Sequence, residues 1–259
     1  LMENRSIIEH ITFSQEIHKI HGGVVPELAS RSHLEKIQIM TNELFSRKNI
    51  DPNEIDVFSA TCGPGLIGSL LVGSTFTKSL AISFQKPFIP INHLEGHILS
   101  TSFNNDIKFP SVVLLLTGGH TQVYLMKDER NIELLGQSVD DAIGEAFDKT
   151  AKLIGLSYPG GAEIEREAVR GDENRFILPK PLAKENNFNF SFSGIKTHIN
   201  ILTKKNKIDK KFIQDLSASF QKNISDLLIE KHERGLERLK LYKVNVKSIS
   251  VVGGVSNNK

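Results

Sequence analysis

Residues 111–126, SVVLLLTGGHTQVYLM, decide the fold of this chain. Two apolar runs of strand length, Ser111–Leu116 and Gln122–Met126, lie on either side of a segment short enough for a tight turn, Thr117-Gly118-Gly119-His120-Thr121. A third strand is predicted near residues 132–135. Together the three strands predict a β-meander with two glycines at its first turn.

Helical and strand patterns alternate outward from this meander. Before it, the pattern predicts in order a helix at 34–49, a strand at 55–60, a helix at 66–85, a strand at 88–91 and a helix at 93–100. After it, the pattern predicts helices at 139–154 and 162–169, an irregular segment at 179–189, a long helix from Phe212 through Leu227 and a strand at 246–252. Such alternation predicts an α/β fold.

The meander, the helices and a strand that runs into Gly253-Gly254 resemble one lobe of the actin, sugar kinase and Hsp70 superfamily. We therefore expect a two-lobed fold with an N-terminal lobe at residues 1–110 and a C-terminal lobe at 111–259. A polar link is predicted at 104–110. In that superfamily, glycine turns bind the phosphates and adenosine of a nucleotide.

Composition excludes several classes of protein. The chain has 259 residues, of which 39% are hydrophobic and 24% charged, as in globular rather than disordered proteins. Its net charge is +2, so any contact with nucleic acid must be local. The single cysteine, Cys62, excludes a disulfide framework and a zinc ribbon, and it fits the cytoplasm. The apolar runs are of strand length, so no membrane span is predicted.

His93 and His97 are four residues apart on a predicted helix, which places both rings on one face within reach of a single metal ion. The alternative is an ordinary surface pair. Asn92 and Glu95 have the spacing of a helix cap, so Glu95 is interpreted first as a capping residue. In zinc proteases a glutamate directly follows the first histidine, so a protease is disfavoured here.

Three further features admit two interpretations each. The Thr117–Thr121 turn is either a plain hairpin or a phosphate site, to which the two threonine hydroxyls would add donors. The acidic residues at 141, 145 and 148 form a stripe on the predicted helix that faces either water or a cleft. The lysines at 204, 205, 207, 210 and 211 either face water or contact tRNA phosphates.

Eight local motifs, taken together, closely resemble the tRNA N6-adenosine threonylcarbamoyltransferase family in its bacterial or organellar branch, once misannotated as sialoglycoprotein endopeptidases. The motifs are the segments HGGVVPELASR at 21–31, NHLEGH at 92–97, TGGHTQ at 117–122, DDA at 140–142, GEAFDK at 144–149, YPGG at 158–161, SFSGIKT at 191–197 and GGVS at 253–256. The resemblance covers nearly the whole chain in the family's order.

The resemblance implies a transferase that moves the threonylcarbamoyl group from threonylcarbamoyl-AMP to N6 of adenosine 37 in tRNAs that read codons beginning with A. It implies that His93 and His97 bind one divalent metal ion per subunit, Fe²⁺ or Zn²⁺. It also implies substrate contacts at Leu115, Leu116, Thr117, Gly118, Gly119, Asp148, Gly161, Glu165 and Asn258. The implied partners are tRNA, a paralogous subunit of the same fold and an ATPase subunit.

Two departures from the family pattern concern the ends of the chain. The family usually opens with a strand carrying Gly-Ile-Glu-Thr-Ser-Cys, and it continues after the GGVS turn to an aspartate that supplies a third metal ligand. Neither lies within residues 1–259, so we expect a fold that is incomplete at both ends. The alternative function is a truncated, non-catalytic scaffold or remnant of the same family. The helix with small residues at Gly65, Ser69 and Gly73 has two alternative roles: it provides the contact face for the partner subunit, or it packs internally.

Overall fold

A computed structural model describes residues 1–4, 6–103 and 107–258. The chain forms two compact units, Leu1–Phe103 and Asn104–Lys259. Both units combine helices with β-strands, which confirms the predicted α/β class. Part of the predicted link at 104–110 lies outside the described residues.

The first unit carries a two-stranded parallel sheet with a helical crossover. Its elements are β1 (Met2–Glu3), β2 (Ser6–Ile7), α1 (Pro26–Lys48), β3 (Phe58–Gly63), α2 (Ile67–Ser83), β4 (Phe88–Asn92) and α3 (His93–Leu99). β1 pairs antiparallel with β2, whereas β3 pairs in parallel with β4. Short 3₁₀ turns occur at Glu16–His21, Pro52–Glu54 and Ser100–Ser102.

Two predicted boundaries in this unit were wrong. α1 begins at Pro26 and not near Leu34, because proline at the first helical position needs no hydrogen-bond acceptor and its φ is already helical. The strand predicted at 55–60 runs instead from Phe58 to Gly63. Pairing with β4 carries the strand beyond residue 60, its predicted end.

The small residues of α2 face α1. A Cβ on Gly68 would lie 2.2 Å from Oγ of Ser30, so the two helices approach closely at this point. Ser69 and Gly73 line a cavity of about 420 Å³ together with Ala29 of α1. The geometry therefore supports internal packing of this face, the second of the two alternatives considered from the sequence.

The second unit is built on a four-stranded sheet of order β7-β6-β5-β8. Its strands are β5 (Ser111–Leu116), β6 (Thr121–Met126), β7 (Ile132–Gln137) and β8 (Ser248–Val252). β5, β6 and β7 form antiparallel neighbours, which confirms the meander, and β8 joins β5 in parallel. Every residue of β5 is buried because it is a central strand with packed faces.

The described residues of this unit also form four α-helices: α4 (Ile143–Leu153), α5 (Gly160–Ala168), α6 (Ser193–Lys205) and α7 (Lys210–Leu241). α4 begins later than the predicted residue 139, because Val139 donates its N–H to the carbonyl of Phe190 and so pairs outside the helix. α6 was not predicted. Within the described residues, no helix is long and apolar enough to span a membrane.

The segment at 179–189 is irregular, as predicted, yet it packs into the core. Phe188 fills a notch on α7 at Gly235, where a Cβ would lie 2.2 Å from the Phe188 ring. The fully buried Lys231 donates from Nζ to the carbonyls of Leu182 and Glu185, at 3.1 and 3.0 Å. These bonds replace the regular hydrogen bonds that the segment lacks, so its conformation is fixed by α7.

Candidate functional site

A cavity of about 370 Å³ lies in the second unit, where the β5–β6 turn, α4, α5 and the turn after β8 meet. Its lining consists mainly of glycines, carboxylates and amides. The lining residues are Gly118, Gly144, Phe147, Asp148, Tyr158, Pro159, Gly161, Ala162, Glu165, Gly254, Val255, Asn257 and Asn258. Five of the predicted substrate residues, at positions 118, 148, 161, 165 and 258, are thus brought together.

The β5–β6 turn is closed by its own backbone and one hydroxyl. Thr117 donates its N–H to the carbonyl of His120 at 2.9 Å, and His120 donates its N–H to Oγ1 of Thr117 at 2.9 Å. Around Gly118 and Gly119 no other atom lies within 4 Å of an ideal Cβ position. The turn therefore presents accessible main chain on the cavity side at Gly118.

The two threonine hydroxyls serve the fold, contrary to the expectation that they would add donors for an anion. Oγ1 of Thr117 is engaged by His120 within the turn. Oγ1 of Thr121 is buried and accepts the N–H of Ile143 at 2.8 Å. Thr121 therefore attaches the first residue of α4 to the start of β6.

Two glycines allow α4 and the turn after β8 to approach the β5–β6 turn. A Cβ on Gly144 would lie 2.6 Å from Cα of Gly118. A Cβ on Gly253 would lie 2.2 Å from the carbonyl oxygen of Leu116, and the φ of +102° at Gly253 also favours glycine. The N-cap residue of α4, Ala142, has no side chain that can cap the helix, so the N–H groups of its first turn after that of Ile143 remain for an anion.

Asp148 is the carboxylate of α4 that faces this cavity. Its Oδ1 accepts the N–H of Gly160 at 2.8 Å. Burial raises the pKa of Asp148 above its ordinary value, the hydrogen bond from Gly160 opposes this, and the negative charge of Glu145 adds to the rise. A ligand that donates a hydrogen bond to this carboxylate would offset the cost of its burial.

The acidic stripe predicted on α4 is only partly correct. Asp141 precedes the helix and pairs with Lys149 and, at 3.9 Å, with Lys196. Glu145 pairs with Lys149 at 3.2 Å. Ion pairs thus hold two of the three carboxylates, and Asp148 alone of the three lines the cavity.

Asn258 closes one side of the cavity by reaching α5. Its Nδ2 donates to Oε2 of Glu165 at 3.1 Å and lies 3.5 Å from the carbonyl oxygen of Gly161. The predicted contacts at 161, 165 and 258 therefore also contact one another. A ligand in the cavity would meet an amide and a carboxylate that already form a pair.

The remaining predicted substrate residues are placed differently. Leu115 and Leu116 have buried side chains in the core of the sheet, so only their main chain is available to a ligand. Thr117 and Gly119 belong to the turn but do not line the cavity.

His93 and His97 lie on α3 in the first unit. Their ring centroids are 4.6 Å apart at an interplanar angle of 66°, so both imidazoles are on one face of the helix, as the spacing predicts. The helix begins at a cap in which Oδ1 of Asn92 accepts the N–H of Leu94 at 2.9 Å and of Glu95 at 3.2 Å. In the part of the chain that the structure describes, no three His, Cys, Asp or Glu side chains cluster as metal ligands. The pair fits a metal ion as two of its ligands.

Comparison with known proteins decides the family. The model of the family described as tRNA N6-adenosine threonylcarbamoyltransferase matches residues 6–259. The chain is similar to that enzyme from Pelagibacter ubique, with 44% identity over 256 residues that cover 98% of this chain and 71% of the relative. The chain belongs to the tRNA N6-adenosine threonylcarbamoyltransferase family. The assignment made from the motifs, and with it the prediction of an acyltransferase, is confirmed.

Other relatives and solved structures extend this comparison. The family member from Thermosipho africanus is 42% identical over 260 residues, which cover 100% of this chain and 77% of the relative. Among solved structures, component A of (R)-2-hydroxyglutaryl-CoA dehydratase from Acidaminococcus fermentans matches with a TM-score of 0.47 and 14% identity, over 85% of this chain and 70% of that chain.

The cavity also contains residues that the sequence reasoning did not single out, although some lie within the family motifs. Gly144, Tyr158 and Pro159 belong to the GEAFDK and YPGG segments, and Gly254 and Val255 belong to GGVS. Their position within these family segments was the sequence signal that could have identified them as site residues. What the sequence did not show is that the three segments meet around one space.

The lysines near 204–211 stand at the end of α6 and the start of α7, and they are exposed. Lys211 also forms an ion pair of 2.7 Å with Asp215. Contact of this group with tRNA stays a prediction.

Proposed function

We propose that this chain transfers the threonylcarbamoyl group from threonylcarbamoyl-AMP to N6 of adenosine 37 in tRNAs that read codons beginning with A. The N6 nitrogen forms a bond to the carbamoyl carbon. The bond between that carbon and the phosphate oxygen breaks, AMP leaves with the bonding electrons, and the nitrogen releases one proton. The observation that carries the proposal is the cavity in the second unit, in a chain of this family.

Different groups of the cavity lining suit the phosphate and the nucleoside of the adenylate. None of the described residues that line the cavity is a lysine, arginine or histidine, so a phosphate there has no cationic side chain and depends on uncharged donors, above all main-chain N–H groups. Gly118, the first turn of α4 and the turn at Gly254 supply such groups on one side. Asp148 and Glu165 offer acceptors suited to the hydroxyl and amine donors of a nucleoside.

The same arrangement assists the departure of AMP. Negative charge on the phosphate grows as its bond to the carbamoyl carbon breaks. Main-chain N–H groups fixed by the β5–β6 turn and by α4 need no rearrangement to stabilise that charge. The close contacts at Gly144 and Gly253 keep these groups in place.

His93 and His97 would hold the divalent metal ion, Fe²⁺ or Zn²⁺, that the resemblance implies. Imidazole nitrogens are suitable ligands for both ions. Two protein ligands leave coordination positions open, which is typical of a catalytic rather than a structural ion. An ion bound in this way would polarise an oxygen ligand. The Asn92 cap fixes the helical turn that orients both rings.

We further propose the two-lobed fold of the actin, sugar kinase and Hsp70 superfamily, with tRNA, a paralogous subunit and an ATPase subunit as partners. An exposed apolar stripe on α2 supports the proposal of a paralogous partner subunit. Ile67, Leu71 and Ile82 are 75%, 58% and 78% exposed and lie on one face of the helix, away from the face that packs on α1. An exposed stripe of this kind is typical of an interaction surface.

The reaction can be tested with purified protein, its partners, threonylcarbamoyl-AMP and an unmodified tRNA. Modified adenosine is measured by mass spectrometry after nuclease digestion. Asp148→Asn should lower kcat/KM for the adenylate by about tenfold or more, since it removes a charged acceptor. Asp128→Asn, at the exposed turn between β6 and β7, is the control and should leave the rate unchanged. If the wild-type protein bound AMP but left the tRNA unmodified, the result would favour the non-catalytic scaffold instead.

A further inference from the structure

Tyr158 is the one tyrosine among the described residues that line the cavity, and the proposed function gives it no role. It precedes the Pro159-Gly160-Gly161 turn that leads into α5, and its ring is partly buried at the cavity wall. We propose that Tyr158 is a specificity-determining residue whose hydroxyl donates a hydrogen bond to the ribose of the adenylate, beside Asp148. This inference rests on the proposed function, because it takes the cavity as the adenylate site.

The first support is that the hydroxyl is not used by the fold. None of the residues that the structure describes forms a hydrogen bond with the Tyr158 hydroxyl, although buried tyrosines usually find a partner. Of the Asp148 carboxylate, Oδ1 accepts from Gly160, and Oδ2 has no donor among the described residues. The Tyr158 hydroxyl, a donor, and Oδ2 of Asp148, an acceptor, are therefore both available to a ligand in the same cavity.

The second support is that Tyr158 remains a donor at every physiological pH. Burial raises the pKa of its phenol above 10.0, and the negative charge of Asp148 raises it further. The phenol and the carboxylate line the same cavity of about 370 Å³, where one ligand group can meet both. A protonated phenol and an ionised carboxylate are complementary to neighbouring hydroxyls, one of which accepts while the other donates.

The ribose is favoured over the other parts of the adenylate for electrostatic reasons. A phosphate beside Asp148 and Glu165 would face like charge, and the open glycine amides at Gly118 offer it a better place. The base also has a donor, its N6 amine, beside ring-nitrogen acceptors. The ribose is preferred because either of its two adjacent hydroxyls can donate or accept, and the deoxy analogues of AMP, which each lack one of these hydroxyls, distinguish the two parts of the nucleoside.

The test is equilibrium binding of AMP, 2′-deoxy-AMP and 3′-deoxy-AMP by calorimetry to the wild-type protein and to Tyr158→Phe, which keeps the ring and removes only the hydroxyl. Wild type should bind AMP more tightly than one of the deoxy analogues by roughly threefold to tenfold, the range for one hydrogen bond. Tyr158→Phe should bind AMP more weakly by a similar factor and should no longer discriminate against that analogue. Tyr242→Phe, 66% exposed and outside the cavity, is the matched control.

The outcomes separate this inference from the proposed function. Unchanged AMP affinity in Tyr158→Phe, at an unchanged melting temperature, would overturn the role of Tyr158 and leave the adenylate site intact. Full discrimination against both deoxy analogues in the variant would do the same. Absence of AMP binding to the wild type would overturn the adenylate site itself, and the inference with it.

Discussion

Gly160 donates its N–H to Oδ1 of Asp148 at 2.8 Å, and a Cβ at Gly160 would lie only 2.7 Å from Cα of Asp148. The turn before α5 thus rests directly on α4 at the carboxylate that lines the cavity. The contact is possible only with glycine at position 160. It connects the start of one helix to the orientation of a side chain on another.

We predict that Gly160→Ala displaces Asp148 and weakens AMP binding by at least about tenfold, with loss of roughly 1–3 kcal/mol of stability from overpacking. Calorimetry and thermal unfolding measure the two effects. Gly194→Ala is the control, because its new Cβ would meet Pro181 at an ordinary 3.4 Å. AMP affinity equal to wild type in Gly160→Ala would show that the position of Asp148 does not matter for binding.

We predict that Gly118→Val weakens AMP binding by about tenfold or more while the melting temperature stays within about two degrees of wild type. The new Cβ lies in open space, since no atom beyond the neighbouring residues is within 4 Å of its position, but the side chain covers the main chain that would bind the phosphate. Gly144→Ala is the contrasting variant and should lower both affinity and stability, because its Cβ would press on Gly118. If Gly118→Val bound AMP normally, the turn would be a hairpin with no part in binding.

The meander was predicted correctly because apolar runs of strand length and a glycine turn are local signals. It missed α6, since the N-terminus of that helix is fixed by a residue far away in sequence: Asp140 accepts the N–H of Phe192 at 2.8 Å and of Ser193 at 3.3 Å. These bonds, with two serine hydroxyls, lower the pKa of Asp140 although burial alone would raise it. No local pattern contains such a long-range cap.

The candidate site also depends on long-range contacts that local sequence patterns do not contain. Asp148, Gly161 and Asn258, which the family resemblance singled out, line one cavity, and their part in binding a substrate stays a prediction. The hydroxyls of Thr117 and Thr121 were expected to serve an anion. They hold the turn and α4 instead, and a donor in the sequence does not reveal which acceptor it will meet in the fold.

We predict that Asp215→Asn destabilises the protein at neutral pH by roughly 2 kcal/mol, the amount that corresponds to a pKa lowered from 3.8 to about 2. Burial alone would raise this pKa, but Lys211 at 2.7 Å, Arg175 at 2.6 Å and the N–H of Asp172 outweigh it. A depressed folded-state pKa contributes stability above pH 4, and that contribution is lost as the pH falls from 4 to 2. The wild-type advantage should therefore shrink across this range in denaturant unfolding.

Glu173→Gln is the control for this prediction. Glu173 pairs with Lys222 at 2.8 Å, but its side chain is 58% exposed, so solvent screens the pair and its loss should change stability little. A constant difference between wild type and Asp215→Asn from pH 7 to pH 2 would contradict the assigned role of the Asp215 charge.

We predict that Leu71→Glu on α2 weakens co-purification with the paralogous subunit by at least about tenfold without loss of the fold, because the charge would be buried in the interface. Leu71 is 58% exposed in this chain, so the substitution disturbs little in the free protein. Ile177→Glu, at a position 91% exposed in the other unit, is the matched control. Undiminished capture of the subunit by Leu71→Glu would remove this stripe as the contact.

We predict that His93→Ala combined with His97→Ala abolishes stoichiometric binding of a divalent metal ion and lowers tRNA modification by at least about a hundredfold. The two rings, 4.6 Å apart, are on one face of a helix whose start is set by the Asn92 cap, so both can reach one ion. Metal content is measured by mass spectrometry of the purified protein, and circular dichroism checks the helix. His198→Ala, on α6 in the other unit, is the control and should keep its metal. Full metal occupancy with undiminished transfer in the double variant would show that the pair is an ordinary pair of surface histidines.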